Sequence, residues 1–118
     1  DFETVLLKIK KNSMEYIGLN SGRSYVFSNK EYTAPKRPPH EDIKIKVLYE
    51  FTQKTIKASQ IITDIGNSEE SSISRFSLSI NRLTGNFSEI ESISNKKTLQ
   101  KSMSNNFQAL CKREDRSY

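Results

Sequence analysis

The sequence predicts an all-β protein: one antiparallel meander of about seven or eight strands, closed as a barrel or packed as a lipocalin-like sandwich. Three observations predict it. Ile43, Ile45, Val47, Tyr49 and Phe51 alternate with Lys44, Lys46 and Glu50, the two-residue period of a half-buried strand. Phe76, Leu78 and Ile80 repeat that alternation against Ser77 and Ser79, then run into a corner containing Thr84, Gly85 and Asn86. Clusters of turn-forming residues recur at short spacing, as they do along meanders, and closure would hide the strand edges.

The elements follow in order. In Phe2 to Lys10, Val5, Leu7 and Ile9 share a face opposite Thr4 and Lys8, with Leu6 the exception. Met14 to Leu19 reads as a second strand. Asn20, Ser21 and Gly22 form a reverse turn, since Asn and Gly accept positive φ at low cost. Tyr25 to Phe27 is a short third strand and completes a hairpin. Ser28 to Asp42 reads as a loop, and its 34–42 stretch holds all three prolines; proline has no N–H to give a ladder. Ile43 to Phe51, Thr55 to Thr63, Ser72 to Leu83 and Phe87 to Ile93 are the next four strands. Phe87, Ile90 and Ile93 break alternation, which predicts a bulge or early end. The tail has two readings. Leu99, Met103, Phe107, Leu110 and Cys111 recur at helical spacing, while Phe107, Ala109 and Cys111 fit one face of a closing strand. A short helix or irregular stretch over 96–103, then a strand over 106–112, is the expectation. No internal repeat stands out.

A chain of 118 residues makes one domain, 1–118, with enough material for a core. The apolar fraction is 34%, so the core is thin, but five Tyr and six Phe keep the chain out of the disordered class. Net charge is +5, which favours anionic surfaces. The cations concentrate late, at Lys96, Lys97, Lys101, Lys112, Arg113 and Arg116. A solvated surface is the ordinary role of such residues; a nucleic-acid or membrane-surface patch is the alternative. The first residue is Asp1 rather than Met, as expected of a processed or trimmed product, with signal-peptide removal one origin. No apolar run approaches the ~20 residues of a membrane span.

Ser79 to Phe87, followed by Phe107-Gln108-Ala109-Leu110-Cys111-Lys112, resembles a loose group of small, exported, functionally uncharacterised bacterial all-β proteins. Those end with a strand reading roughly I-N-R-x-T-G-x-F and a final strand with a single Cys and a Lys. The resemblance covers about a third of the chain. It implies an all-β, lipocalin-like or sandwich domain exported to the periplasm or beyond the cell. It supplies no catalytic residue.

Few residues point to chemistry. His40 is the only histidine; beside Glu41 and Asp42 it lacks further nitrogen ligands for a metal and a nucleophile to serve as base. Cys111, the only cysteine, lies on an apolar stripe and reads as an inert thiol rather than a nucleophile. Glu69-Glu70 and Glu89 with Glu91 are paired acids; the latter pair shares a strand face, as glycosidase carboxylates sometimes do, but solvated acid pairs are commonplace. No glycine-rich phosphate loop exists. Neither metal nor cofactor is expected, and no catalytic residue.

Arg82 continues the Phe76, Leu78, Ile80 face, where a charge must be paired or reach the rim. It either binds carbonyls or an acid that close the turn, or anchors a ligand at a barrel mouth. Tyr16, Tyr25 and Phe27 near Arg23, with Lys44 and Lys46, would make a platform for single-stranded nucleic acid. The expected function is therefore a non-enzymatic binding or protein-interaction domain, a structural or accessory subunit whose partner is another protein. A carrier of a small apolar ligand and a single-stranded nucleic-acid-binding barrel are the alternatives. The candidate contact residues are Arg82, Tyr49, Phe51, Arg23, Tyr25, Lys36 and Arg37.

Overall fold

The computed structural model describes residues 4–35, 42–66 and 68–112. Among them there is no helix, and nine strands form two antiparallel sheets. The first sheet holds β1 (Val5–Ile9), β2 (Met14–Gly18) and β3 (Ser24–Phe27). The second holds β4 (Lys30–Ala34), β5 (Ile43–Phe51), β6 (Thr55–Asp64), β7 (Ser72–Asn81), β8 (Asn86–Asn95) and β9 (Lys101–Leu110). Strand order is sequential in each sheet, and no closed barrel forms among the described residues.

The side-chain alternation sets the layering. Register pairs Val47 with Gln60, Gln60 with Phe76 and Phe76 with Glu91, so these residues share the inner face. The neighbouring inner row runs Tyr49, Ala58, Leu78, Glu89 and Phe107. Onto this face the small sheet delivers Met14 and Phe27, both buried. Phe27 stacks on Phe76 with ring centroids 5.8 Å apart. Tyr49 is buried, and its hydroxyl donates to Lys10 O at 2.7 Å, tying the first hairpin loop to the core. The outer face carries Ser59, Ser77, Ser79 and Ser88 in place of apolar residues. The radius of gyration, 16.0 Å, exceeds the about 13.5 Å of a compact chain this long, because three short strands cover only part of a wide sheet. One covered face also accounts for the low apolar fraction.

Three expectations are corrected. The loop over 28–42 contains β4: Lys30–Ala34 pairs with Val47–Ile43, an edge strand whose polar alternation hid it. Residues 96–103 are not helical; Lys96 to Thr98 is a turn and β9 begins at Lys101, since Asn and Ser are tolerated on an exposed edge where a helix would disfavour them. The strand expected to run to Leu83 ends at Asn81, which places Arg82 in the turn. The expected irregularity in β8 is present as a register shift at Ile93/Ser94.

One loop design recurs three times, at Gly18–Arg23, Asn81–Asn86 and Asn95–Gln100. In each, the fifth residue donates its N–H to the first residue's carbonyl: Gly22 to Gly18 (2.8 Å), Gly85 to Asn81 (2.7 Å) and Leu99 to Asn95 (2.9 Å). The fourth residue's hydroxyl, from Ser21, Thr84 or Thr98, accepts from the sixth N–H. In the two asparagine loops Oδ1 accepts the next two free N–H groups, those of Leu83 and Thr84 or of Lys97 and Thr98. The fifth residue is left-handed each time, with φ of 71°, 81° and 61°. Glycine fits this geometry, and Leu99 is strained by it.

The third loop also clamps its neighbour. The Lys96 ammonium donates to the carbonyl oxygens of Asp64, Ile65 and Gly66 at 2.7, 3.0 and 2.9 Å. Asn95 Nδ2 donates to Glu69 O at 2.7 Å, and buried Asp64 accepts from the Ser72 N–H at 2.8 Å. Lys96 therefore departs from the solvated-surface reading and serves as an internal bolt between two loops.

Leu99→Gly is expected to stabilise the protein by about 0.5–1 kcal/mol, as relief of left-handed strain exceeds the entropy of the added glycine. Gly85→Ala is expected to destabilise by at least about 1 kcal/mol, because a Cβ there would lie 2.8 Å from Cys111 O. Urea unfolding midpoints check both signs.

Candidate binding cleft between the sheets

The small sheet leaves an open cleft where it overhangs β6 to β8. Its volume is about 550 Å³, and Tyr16, Arg23, Tyr25, Gln60, Phe76, Glu89 and Glu91 are among its walls. Register explains the gathering. Tyr16 pairs with Tyr25 across β2 and β3, so both rings point at the large sheet along with Phe27. Phe76 rises to meet them. Tyr16 and Tyr25 have centroids 6.3 Å apart, and Tyr16 meets Phe76 edge-on at 6.1 Å, a favoured aromatic geometry.

The opposite wall is acidic. Glu89 and Glu91 lie on the inner face of β8, opposite Leu78 and Phe76. The Tyr16 hydroxyl donates to Glu89 Oε2 at 3.2 Å, which fixes the ring and the carboxylate together. Arg23 brings a cation to the same cleft. The site thus offers aromatic faces, carboxylates and a guanidinium within one open hollow.

The residues singled out from sequence divide between places. Arg23 and Tyr25 line the cleft. Tyr49 is sealed in the core. Phe51 and Arg82 sit together at the β5–β6 turn, where the guanidinium lies 4.3 Å from the Phe51 ring centroid and Nη1 donates to Thr52 O at 2.6 Å. Arg82 is therefore the carbonyl-binding arginine that closes the turn. Lys36, Arg37 and His40 fall outside the described residues. Lys44 and Lys46 occupy the outer face, across the sheet from the aromatic rings, so the platform of aromatics and lysines does not assemble. Glu89 and Glu91 were visible as a same-face pair; their meeting with Tyr16 depends on how the sheets stack, which no local pattern encodes.

A second hollow, of about 490 Å³, crosses the outer face between Leu48 and Ile90 over a serine floor. Tyr49 is the one aromatic residue among its lining, and its charges are Glu50 and Lys57 alone. Among the described residues no three His, Cys, Asp or Glu side chains gather to hold a metal. Cys111 is half-buried, and burial pushes its thiol above the ordinary thiol range. On the surface, Lys44 holds Glu31 below the usual carboxylate range through a 2.7 Å pair. No family model, curated protein or solved structure matches the chain.

The raised Cys111 value has a sign that can be tested. A neutral thiol is favoured in the fold, so its contribution is complete below the ordinary thiol range and is lost as pH rises through the folded value. Iodoacetamide at mildly alkaline pH is expected to alkylate folded Cys111 at least ~10-fold more slowly than the urea-unfolded chain. Equal rates would contradict the burial.

Proposed function

We propose that this chain is a non-enzymatic binding domain, built as an open two-sheet sandwich, that receives a segment of a partner protein in the inter-sheet cleft. The observation that carries the reading is the joint presence of Tyr16, Tyr25 and Phe76 with Glu89, Glu91 and Arg23 in one hollow. Aromatic rings supply rigid contact area at small entropic cost. Charges of both signs suit a polypeptide, which presents amides, apolar groups and either charge. They suit a polyphosphate poorly, because two carboxylates face the aromatic surface on which bases would have to stack. A wholly apolar ligand would take water from those carboxylates and supply no donor in its place. The resemblance of the Ser79–Phe87 and Phe107–Lys112 segments to exported proteins supports a setting outside the cytoplasm, in the periplasm or beyond the cell, for this activity.

Peptide display on the immobilised domain is expected to enrich sequences carrying an aromatic residue next to Lys or Arg. Tyr25→Ala, at a half-exposed position, is expected to weaken a selected peptide about 10-fold, the ordinary cost of losing an interface tyrosine, and Glu91→Lys to weaken it further. Binding indifferent to both changes removes the cleft as the site. A stoichiometric small molecule seen by native mass spectrometry would favour the carrier instead.

A further inference from the structure

We propose that β9 is a docking edge for a second copy of this chain, with two β9 strands pairing antiparallel about a twofold axis through Asn106. The two edges of the six-stranded sheet differ in kind. β4 has five residues, includes Lys30 and Glu31, and runs into Pro35, three of the devices that protect an edge. β9 has ten residues, no proline and no charge from Ser102 to Leu110. Every β9 residue except Met103 is exposed. Among the described residues nothing is paired to its far side.

The ladder identifies the free groups. Cys111 donates its N–H inward, to Gly85 O at 2.7 Å, and Ala109, Phe107, Asn105 and Met103 follow with the same parity against β8. The backbone groups of Leu110, Gln108, Asn106 and Ser104 therefore point outward. Any added strand must bond these residues. A second copy does so symmetrically: Asn106 meets its own counterpart, and Ser104 meets Gln108 in both directions. About six inter-chain hydrogen bonds result, two for each of three bonded pairs. This is an isologous contact.

Side chains agree with that register. Phe107, still 41% exposed, falls opposite Asn105 of the second copy, and Met103 opposite Ala109. Leu110, 65% exposed, falls opposite Ser102. No like charges meet along Ser102 to Leu110. Because the other edge is protected, growth ends at two chains rather than continuing into a fibre. The inference does not depend on the cleft, which the pairing leaves open.

Sedimentation velocity of the full chain, with reductant present to silence Cys111, decides the matter. The expected result is a concentration-dependent monomer–dimer equilibrium. Asn106→Pro removes only an outward N–H, so the β8–β9 ladder survives. It is expected to weaken the dimer at least ~10-fold, as the loss of two symmetry-related hydrogen bonds implies. Asn106→Lys sets two ammonium groups at the axis and is expected to do the same in a variant with unaltered circular dichroism. Thr33→Lys, on the β4 edge, is expected to leave the equilibrium unchanged. A wild-type chain that stays monomeric at every concentration, a dimer that survives both Asn106 changes, or assembly beyond the dimer overturns the proposal.

Discussion

The contact of Phe27 and Met14 with the inner face of the large sheet is the constraint on which the rest depends. A six-stranded sheet with one apolar face cannot stand in water alone. Only fourteen residues of β1 to β3 are offered to cover it. Met14 and Phe27, fully or almost fully buried, carry most of that cover, each worth about 1.5–3 kcal/mol of transfer free energy. Their placement follows from pairing, since Met14 lies opposite Phe27 in the β2–β3 register. A slip of one residue in β3 would turn Phe27 to solvent and present Val26 to the core, and a slip in β2 would exchange Met14 for Glu15. The register of the small sheet is thus set by the face of the large one, and the cleft is the space that remains where the cover runs out.

How legible each element was in the sequence depends on how many of its faces and edges are committed. β5 is paired on both sides and covered on one face, so every residue has a defined environment, and Ile43–Phe51 was readable to its ends. β4 has one neighbour and a stripe of only Tyr32 and Ala34; Lys30, Glu31 and Thr33 surround it, and Pro35 follows at once. β9 is the extreme case. With one neighbour and an open edge, it tolerates Ser102, Ser104, Asn105 and Asn106, and the helical spacing of Leu99, Met103, Phe107 and Leu110 is coincidence. Leu99 belongs to a turn, while Phe107 and Leu110 face opposite ways. Arg82 shows the same limit at a strand end: β7 stops at Asn81, two residues sooner than expected, and the side chain folds back over Phe51. The aromatic half of the cleft was legible because a hairpin gathers Tyr16, Tyr25 and Phe27. The acidic half was not, because Glu89 meets Tyr16 across 73 positions of sequence.

Charge is spent unevenly over this surface. The net +5 suggests an anion-seeking protein, yet the cleft between the sheets is flanked by carboxylates. Apart from Arg23 and Arg75, which line that cleft, the described cations stand elsewhere. Lys44 is paired with Glu31, Arg82 is folded onto a ring and a carbonyl, and Lys96 is consumed by three carbonyl oxygens. Lysine suits that last task, since its ammonium is a compact donor of three hydrogen bonds with no planar geometry to satisfy. What remains of the positive charge lies on the outer face and the turns, where its ordinary effect is solubility.

The open outer face completes the logic. Among the described residues no element covers the second face of the sheet, and serine recurs across it. Ser59, Ser77, Ser79 and Ser88 are small enough to let the sheet twist and polar enough to hold water. The exposed apolar residues among them, Leu48 and Ile90, are separated by two strands of hydroxyls. Isolated apolar side chains on a surface are unremarkable; contiguous ones would invite association. The serine surface gives way at two places: the acidic aromatic cleft on one face, and the uncharged length of β9 at one edge.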